Sequence, residues 1–493
     1  MEHLDVVIVG AGLSGIGAAV HLGERCPTKR YAVLEARPTL GGTWDLFRYP
    51  GIRSDSDMHT LGYSFKPWRA KKAIADGPAI LDYMSETATE NDVRRNIRFH
   101  HALKSASWSS EQARWTLEIE RKDTNDRIEL TCNFLSMCGG YFNYAEPHDP
   151  EFEDIAKFRG QVVHPQFWPE DLDYKGRRVV VIGSGATAMT LIPAMAEEAA
   201  HVTMLQRSPT YVVSRPAEDG IANMLRKFLP EKLAYRLTRF KNVQLQRFMY
   251  RRTRVAPEMV KQRLLAMVRE ELGPDFDVDR HFTPRYNPWD QRLCLVPDGD
   301  LFEAIRSGRA SVVTDEIDSF TESGIALKSG ENVEADIIVT ATGLKLQLLS
   351  DVEFRVDGNK VNFPETYTYK GLMFSGVPNL VQTFGYINAS WTLRADITSE
   401  FVCRVLNRMD ELGTPICTPT LREEDQSMIA LPWIDDFTPG YMQRKMHLFP
   451  KQSDRAPWRN TQNYLLDKKM IRNAPLEDGV LQFQPQSSST RSG

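Results

Sequence analysis

Hydrophobic residues in the first part of the chain form continuous apolar runs and one stretch with helical spacing. A continuous apolar run, Val6 to Val9, precedes three glycines, and an Ala- and Leu-rich stretch with helical spacing follows them. A second apolar run, "YAVLEA", comes next and ends around Glu35. This order predicts a buried strand, a tight turn, a helix and a second parallel strand, which together form one βαβ unit.

The glycines of this unit, Gly10, Gly12 and Gly15, have the spacing G-x-G-x-x-G. Such glycines allow the tight turn, the approach of a pyrophosphate and close packing of helix on strand, and the helix N-terminus, here Leu13 and Ser14, attracts the anion. An acid at Glu35 suits a ribose 2′-OH and repels a 2′-phosphate. The unit therefore predicts a site for FAD or NAD, and the plainer interpretation is a glycine-containing turn without a ligand.

A second unit, "RRVVVIGSGATAMTLIPAM", repeats the pattern, with Ala188 at the third glycine position. Its next strand ends in Arg207 instead of an acid, and a guanidinium suits a 2′-phosphate. The alternative is a surface arginine. We predict an NADPH site here, formed by Gly183, Ser184, Gly185, Ala186, Thr187, Ala188, Arg207 and Ser208.

The segment "GGTWDLFRYPG", residues 41–51, follows the first unit, and its Gly42, Thr43 and Trp44 suit a loop along an isoalloxazine ring. We therefore place FAD at the first site. The fold prediction is an α/β protein with two Rossmann-like dinucleotide-binding domains, the second inserted in the first. The predicted parts are 1–146 (FAD, first part), 147–330 (NADPH, with a helical insertion at about 215–285), 331–480 (FAD, second part) and 481–493 (disordered tail).

Composition narrows the function classes. The 493 residues are 42% hydrophobic and carry a formal net charge of −4, which gives no indication of nucleic-acid binding. The six cysteines are scattered without a C-x-x-C pair, which favours a reducing cytoplasm and predicts no disulfide framework or metal site. The N-terminus lacks the basic region of a signal peptide, so we expect a cytoplasmic protein.

The insertion, about Ile221 to Leu272, combines many Arg and Lys residues with apolar positions at helical spacing. Three interpretations remain open: a solvated basic face, a patch that attracts NADPH, and weak association with a membrane surface.

Between the two glycine turns, Phe158, Gly160, His164, Trp168 and Pro169 fit the pattern F-x-G-x-x-x-H-x-x-x-W-[P/D]. This is the fingerprint of Baeyer–Villiger monooxygenases, the class B flavoprotein monooxygenases. The chain resembles that family, and a mycobacterial member of it over nearly the full length, in segments that include "GGTWDLFRYPGIRSDSDM" and "YNPWDQRLCLVP".

The resemblance implies an enzyme that uses FAD, NADPH and O₂ to convert a ketone to an ester or lactone through a flavin C4a-peroxide, and that also oxidises thioethers or thioamides. Arg292 matches the family's arginine that stabilises the peroxide and the oxyanion, and Asp55 matches the acid that pairs with it. A structural ion pair between domains is the other interpretation. The fingerprint is expected to link the domains and not to catalyse.

Two further expectations concern cofactor binding. Asn388, Ser390 and Trp391 either line the flavin pocket or cap the helix that begins near Trp391. Gln291 stands where many family members carry lysine, so NADPH preference is expected to depend mainly on Arg207.

Two rival functions remain. One is a heteroatom oxygenase without Baeyer–Villiger activity, and the other is an NADPH-dependent electron-transfer reductase, which would need neither the fingerprint nor Asp55 and Arg292.

Overall fold

The computed structural model describes residues 1–291, 293–435 and 440–486. The predicted catalytic residue Arg292 and most of the predicted tail lie outside these ranges. Within them, no helix has both the length and the apolar character that crossing a bilayer requires.

Strands alternate with helices in the two predicted βαβ units, as the apolar periodicity predicts. The helices are α1 (Leu13–Arg25), α2 (Thr43–Leu46), α3 (Met58–Leu61), α4 (Gly77–Glu90), α5 (Ala186–Met195), α6 (Gly220–Phe228), α7 (Glu231–Val255), α8 (Pro257–Leu272), α9 (Val278–His281), α10 (Asp300–Arg306), α11 (Trp391–Leu412), α12 (Gly440–Gln443) and α13 (Tyr464–Asp467). The strands are β1 (Glu2–Val9), β2 (Tyr31–Leu34), β3 (Ile97–Arg98), β4 (His101–Ser109), β5 (Arg114–Arg121), β6 (Arg127–Met137), β7 (Gln161–Val163), β8 (Arg178–Ile182), β9 (His201–Gln206), β10 (Tyr211–Arg215), β11 (Leu293–Pro297), β12 (Ala310–Thr314), β13 (Ile317–Thr321), β14 (Gly324–Leu327), β15 (Asn332–Glu334), β16 (Ile337–Thr340), β17 (Glu353–Val356), β18 (Asn359–Lys360), β19 (Thr368–Tyr369), β20 (Met373–Phe374), β21 (Leu380–Gln382), β22 (Ile416–Pro419), β23 (Ala430–Leu431), β24 (Gln452–Ser453) and β25 (Leu481–Gln484).

In the described chain, the larger sheet has nine strands in the order β18-β17-β4-β5-β6-β1-β2-β3, with β21 also paired to β6. Strands β2, β1 and β6 run parallel, and β1 is flanked by the other two. Helix α1 packs against α11, and their apolar residues form one buried cluster. This arrangement places the N-termini of α1 and α11 at one edge of the sheet.

The second sheet has five parallel strands in the order β12-β9-β8-β16-β7. Its central strands are buried apolar runs, as parallel strands covered on both faces require. The chain crosses from the first sheet to the second between Met137 and Gln161, a stretch that contains the predicted boundary at 146. The helices α6, α7, α8 and α9 lie between β10 and β11, within the predicted insertion.

Two predicted boundaries are wrong. Strand β16 pairs with β7 and β8 in the second sheet, so the return to the first sheet follows Thr340 and not residue 330. An all-buried apolar strand is compatible with the parallel part of either sheet, so its sequence does not show which sheet it joins. The predicted disordered tail also begins too early, because β25 pairs with β22 and Leu481 is buried. Residues 487–493 lie outside the described part.

Candidate active site

A cavity of about 280 Å³ lies where the two sheets face each other. The segment that follows β2, the segment that follows β6, and the N-termini of α1, α5 and α11 all contribute to its wall. The predicted cofactor residues among its lining are Gly12, Leu13, Ser14, Thr43, Trp44, Asp55, Ala186 and Thr187. Residues from both glycine turns therefore meet around one space.

The first glycine turn has the geometry that its sequence predicts. Gly10 has φ of +100°, and a Cβ there would lie 2.8 Å from the carbonyl oxygen of Cys138. A Cβ on Gly15 would lie 1.8 Å from the carbonyl oxygen of Gly10, so a side chain at Gly15 cannot fit. Helix α1 begins directly after Gly12, which leaves its first N–H groups directed toward the cavity edge.

Glu35 follows β2 at the same edge. Its carboxylate accepts hydrogen bonds from the backbone N–H of Ala11, at 2.8 Å, and of Arg37, at 2.9 Å. Burial raises the pKa of Glu35, and the two backbone hydrogen bonds oppose that rise. The acid is thus fixed beside the glycine turn, where the sequence places a group for a ribose hydroxyl.

The second glycine turn links β8 to α5. A Cβ on Gly183 would lie 2.4 Å from the carbonyl oxygen of Ala341, whereas the space beside Gly185 is open. The Ser184 hydroxyl donates to the carbonyl oxygen of Ser208, at 3.2 Å, and Ala188 is buried against the sheet. Arg207 directly follows β9, is exposed, and forms no ion pair with any residue in the described ranges.

The loop after β2 joins the two units. Gly42 has φ of +56°, and a Cβ there would lie 3.1 Å from Cα of Gly12. Arg53 forms an ion pair with Asp300, at the start of α10 in the second unit. Tyr49 is buried, and it lines the cavity together with Thr187 of the second turn. Burial raises the pKa of Tyr49 to about 12, so its hydroxyl stays protonated at neutral pH.

Aromatic rings close the far side of the cavity. Trp391, the first residue of α11, stacks on Tyr141 with ring centroids 5.3 Å apart. Its indole N–H donates to the Ser14 hydroxyl, at 2.7 Å. A Cβ on Gly385 would lie 2.2 Å from the same indole. The predicted helix start at Trp391 is confirmed, and the indole fixes α11 against the first turn of α1.

A second cavity, of about 600 Å³, adjoins the first. Ligand pockets of this size are common in enzymes that bind small organic molecules. Its walls come from the helical insertion, β10, β11 and the segment before α11. Asp55, Ser56, Leu295, Tyr386 and Ala389 line both cavities. Asp55 therefore lies at the junction of the two spaces.

The lining of the second cavity has a polar part and an apolar part, which we call the polar wall and the apolar wall. The polar wall includes Asp219, whose carboxylate pairs with Lys241 at 2.7 Å, and the Asn242 amide, which donates to Asp57 at 2.9 Å. The apolar wall comprises Ile74, Val213, Leu245, Met249, Val260, Leu264, Trp289, Leu293, Leu295 and Ile387. Asp219 and Asp57 are therefore engaged by neighbouring side chains, and the apolar wall offers contact area to a ligand.

The fingerprint residues flank β7: Phe158 and Gly160 precede the strand, and the other three follow it. Phe158 is buried, and a Cβ on Gly160 would lie 2.4 Å from the carbonyl oxygen of Asp336. His164 Nδ1 accepts a hydrogen bond from the Gln166 N–H, at 3.1 Å, and burial lowers the pKa of His164 to about 4. None of the five residues lines either cavity.

The fingerprint instead connects the two sheets. The Gln166 side chain donates to the backbone carbonyls of Asn143, at 2.9 Å, and Tyr144, at 3.0 Å, just after the first sheet ends. Trp168 packs against a cluster that contains Phe47 of the first unit and Val179 of the second. Pro169, the last residue of the pattern, is exposed.

The side chains of Asn388 and Ser390 form hydrogen bonds to other segments of the chain. Asn388 lines the second cavity and not the first, and its side chain donates to the carbonyl oxygen of Gln462 at 3.0 Å. Ser390 precedes α11, but its hydroxyl bonds that of Thr60 at 2.6 Å and makes no cap. The segment before α11 passes between the two spaces, and contact of Asn388 with the flavin stays a prediction.

Several lining residues are not among the predicted site residues. Tyr49, Tyr141, Leu295 and Tyr386 reach the cavities from separate segments, and only the fold brings them together. The apolar spacing of α8 predicts a buried face but not that Leu264 borders a ligand space.

Sequence models of two known protein families match the parts of the chain that form this site. A sequence model of an NAD(P)-binding Rossmann-like domain matches residues 8–71, which contain the first glycine turn and Glu35. A model of flavin-binding monooxygenase-like proteins matches residues 73–412. The chain belongs to the flavin-binding monooxygenase-like family. The predicted resemblance to flavin monooxygenases is confirmed.

Full-length relatives agree with this membership. The chain is 53% identical to the FAD-containing monooxygenase EthA of Mycobacterium tuberculosis over 98% of each chain. It is 47% identical to the probable FAD-binding monooxygenase AlmA of Acinetobacter baylyi, over 99% of this chain and 97% of that relative. The expected similarity to a mycobacterial member over nearly the full length is therefore also confirmed.

Solved structures share the fold. A steroid monooxygenase bound to NADP superposes with a TM-score of 0.71 at 25% identity, over 85% of this chain and 88% of its own. A cyclohexanone monooxygenase has a TM-score of 0.71 at 21% identity, over 85% of this chain and 90% of its own. The predicted α/β fold with two Rossmann-like units is confirmed.

Proposed function

We propose that this family member is an FAD-dependent, NADPH-consuming monooxygenase that inserts one oxygen atom of O₂ beside a ketone carbonyl. The product is an ester or a lactone. The observation that carries the proposal is the junction at Asp55, where the space between the two glycine turns opens into a larger apolar cavity. Such an arrangement lets two cofactors and an apolar substrate meet at one point.

The first turn fits FAD. Gly12 leaves no side chain between the start of α1 and a pyrophosphate, Gly15 lets α1 pack closely on β1, and Glu35 is held beside the turn to accept a ribose hydroxyl. The loop at Thr43 and Trp44 borders the same cavity. Bound FAD would supply hydride acceptance from NADPH and the activation of O₂.

The second turn fits NADPH. Helix α5 presents its N-terminus to the cavity through Ala186 and Thr187. Arg207 is exposed beside the turn and has no ion-pair partner within the described ranges, so its guanidinium is available to a 2′-phosphate. The Arg53–Asp300 ion pair fixes the loop of the first unit against the second unit.

The chain's own residues would orient the reactants and exclude water. Tyr141 and Trp391 close one side of the first cavity with stacked rings. Asp55 borders both spaces and would position Arg292, whose fixed positive charge would stabilise the oxyanion that forms when the carbonyl is attacked. The apolar wall at Leu245, Met249 and Leu264 favours substrates with aliphatic or aromatic bodies.

Product analysis tests the proposal. The holoenzyme is supplied with NADPH, air and either an aliphatic methyl ketone or an aryl methyl thioether. We expect ester from the ketone and sulfoxide from the thioether. Sulfoxide without ester would identify a heteroatom oxygenase instead, and NADPH oxidation that requires an added protein acceptor would identify an electron-transfer reductase.

Arg207→Ala is expected to lower the preference for NADPH over NADH by about 10- to 100-fold, because charge-assisted hydrogen bonds to the 2′-phosphate are lost. The check is the ratio of kcat/KM values for the two nucleotides. The matched control is Arg177→Ala. Arg177 is an exposed arginine directly before β8, at the end of that strand away from the glycine turn. Equal preference in Arg207→Ala and the parent would remove Arg207 from the nucleotide site.

A further inference from the structure

Helices α6 and α7 carry an unusual concentration of exposed apolar side chains. In the described chain, ten of the eighteen large apolar residues that are exposed lie between Ile221 and Met259. Phe228 is 79% exposed, Phe240 65% and Phe248 59%. Contiguous exposed apolar surface of this kind marks an interaction site more often than scattered single residues do.

These residues share one side of each helix. On α6, Met224 and Phe228 are four positions apart, and on α7, Leu237 and Phe240 are three apart, with Phe248 eight further on. Such spacings place side chains on one helical face. We call Met224, Phe228, Leu237, Phe240, Phe248 and Val255 the outward face.

The opposite side of α7 is firmly attached to the protein. Arg239 donates to the carbonyl oxygens of His59, at 3.0 Å, and Gly62, at 2.8 Å, and pairs with the buried Asp396 at 3.3 Å. Tyr235 donates to the carbonyl oxygen of Tyr63 at 2.8 Å. The outward face is therefore presented by a helix whose orientation is fixed, and not by a loose segment.

Positive charge surrounds the outward face. Helices α6 and α7 contain ten Arg and Lys residues and one acid, Glu231. The exposed cations with no ion-pair partner in the described ranges include Lys227, Lys232, Arg236, Arg247 and Arg251. Exposed aromatic residues interspersed with unpaired cations are complementary to a surface that is apolar within and anionic at its boundary.

The helices that carry the outward face also border the second cavity. Ile221 on α6 and Leu245 on α7 are both exposed to solvent, and both line that cavity. The two helices therefore connect the outward face with the cavity wall.

We propose that the outward face docks on a lipid bilayer with anionic headgroups, and that the second cavity takes its apolar substrate from that bilayer. The part of this inference that concerns the substrate rests on the proposed function. A symmetric contact between two copies would bring Lys232, Arg236 and Arg247 of one chain close to the same cations of the other, and like charges oppose such pairing. An anionic bilayer satisfies both the cations and the apolar side chains.

The test is flotation of the full-length holoenzyme with vesicles of phosphatidylglycerol and phosphatidylcholine, and with vesicles of phosphatidylcholine alone. We expect the protein to float with the anionic vesicles, and binding to weaken as salt is raised. The triple variant Phe228→Ser/Phe240→Ser/Phe248→Ser changes no residue that lines either cavity and is expected to lower vesicle partitioning by at least about tenfold.

The matched control is Leu412→Ser/Leu421→Ser/Ile429→Ser, which removes three exposed apolar side chains elsewhere and should float like the parent. Both variants should oxidise a water-soluble ketone at the parent rate without vesicles. Failure of the parent to float would overturn the inference. So would a parent that is dimeric in solution, if the triple phenylalanine variant is monomeric and the control variant stays dimeric. An active enzyme that does not float contradicts the docking inference but not the proposed function. A protein that floats but does not turn over contradicts the proposed function but not the docking of the outward face.

Discussion

Arg292→Ala is expected to lower the yield of ester per NADPH by about 100- to 1000-fold, the effect of removing one stabiliser of a developing oxyanion. NADPH oxidation should continue, and the electrons should appear as hydrogen peroxide, because the residues that bind and orient the nucleotide are intact. Leu293, the next residue in the chain, lines the second cavity, and Leu295 lines both cavities. The measurement is ester, peroxide and NADPH consumption in the same reaction.

Arg285→Ala is the control, since Arg285 is exposed, lies seven positions earlier and lines neither cavity. Its ester yield should equal that of the parent. Arg292→Lys keeps a charge but lacks the planar fork, so it should recover only part of the yield. Normal coupling in Arg292→Ala would show that the guanidinium has no part in oxygen transfer.

The role of Asp55 can be separated from that of Arg292 by a double-variant cycle. If Asp55 acts by positioning the arginine, Asp55→Ala lowers ester yield alone but adds little to Arg292→Ala. If the two effects multiply, Asp55 acts independently of Arg292. Asp55→Ala should also slow flavin reduction by NADPH, and an unchanged reduction rate would remove Asp55 from the hydride step.

The parts of the fold that could be predicted are those set by local chemistry. The glycine turns at Gly10 and Gly183 could be predicted because each is marked by glycines at a positive φ between an apolar strand and a helix. The start of α11 near Trp391 is likewise indicated by the local pattern. The carbonyl oxygens that crowd the two glycines, those of Cys138 and Ala341, belong to distant segments and could not be predicted.

What the sequence could not predict depends on contacts between distant segments. Strand β16 is a short apolar run that would suit the parallel part of either sheet. Its pairing with β7 and β8, which are distant in sequence, places it in the second sheet. Asn388 and Trp391 are three residues apart, yet they line different cavities, because the chain between them separates the two spaces. The apolar wall of the second cavity comes from helices whose spacing predicts burial but not what they are buried against.

Gly15→Ala is expected to yield a protein without bound flavin. The added Cβ would lie 1.8 Å from the carbonyl oxygen of Gly10, a distance that the backbone must relieve by moving α1 away from β1. That movement takes the first N–H groups of α1 away from the pyrophosphate, which the turn can then no longer bind. The measurement is the flavin absorbance per protein after purification and after incubation with excess FAD.

Gly23→Ala provides the control on the same helix, because a Cβ at Gly23 meets no atom within 4 Å. This variant should retain the parent's flavin and gain up to about 1 kcal/mol in free energy of unfolding from its higher helix propensity. Circular dichroism of Gly15→Ala separates loss of the site from loss of the fold. If a folded Gly15→Ala retains stoichiometric FAD, the pyrophosphate does not lie at this turn, and the assignment of FAD to the first unit and NADPH to the second must be exchanged or abandoned.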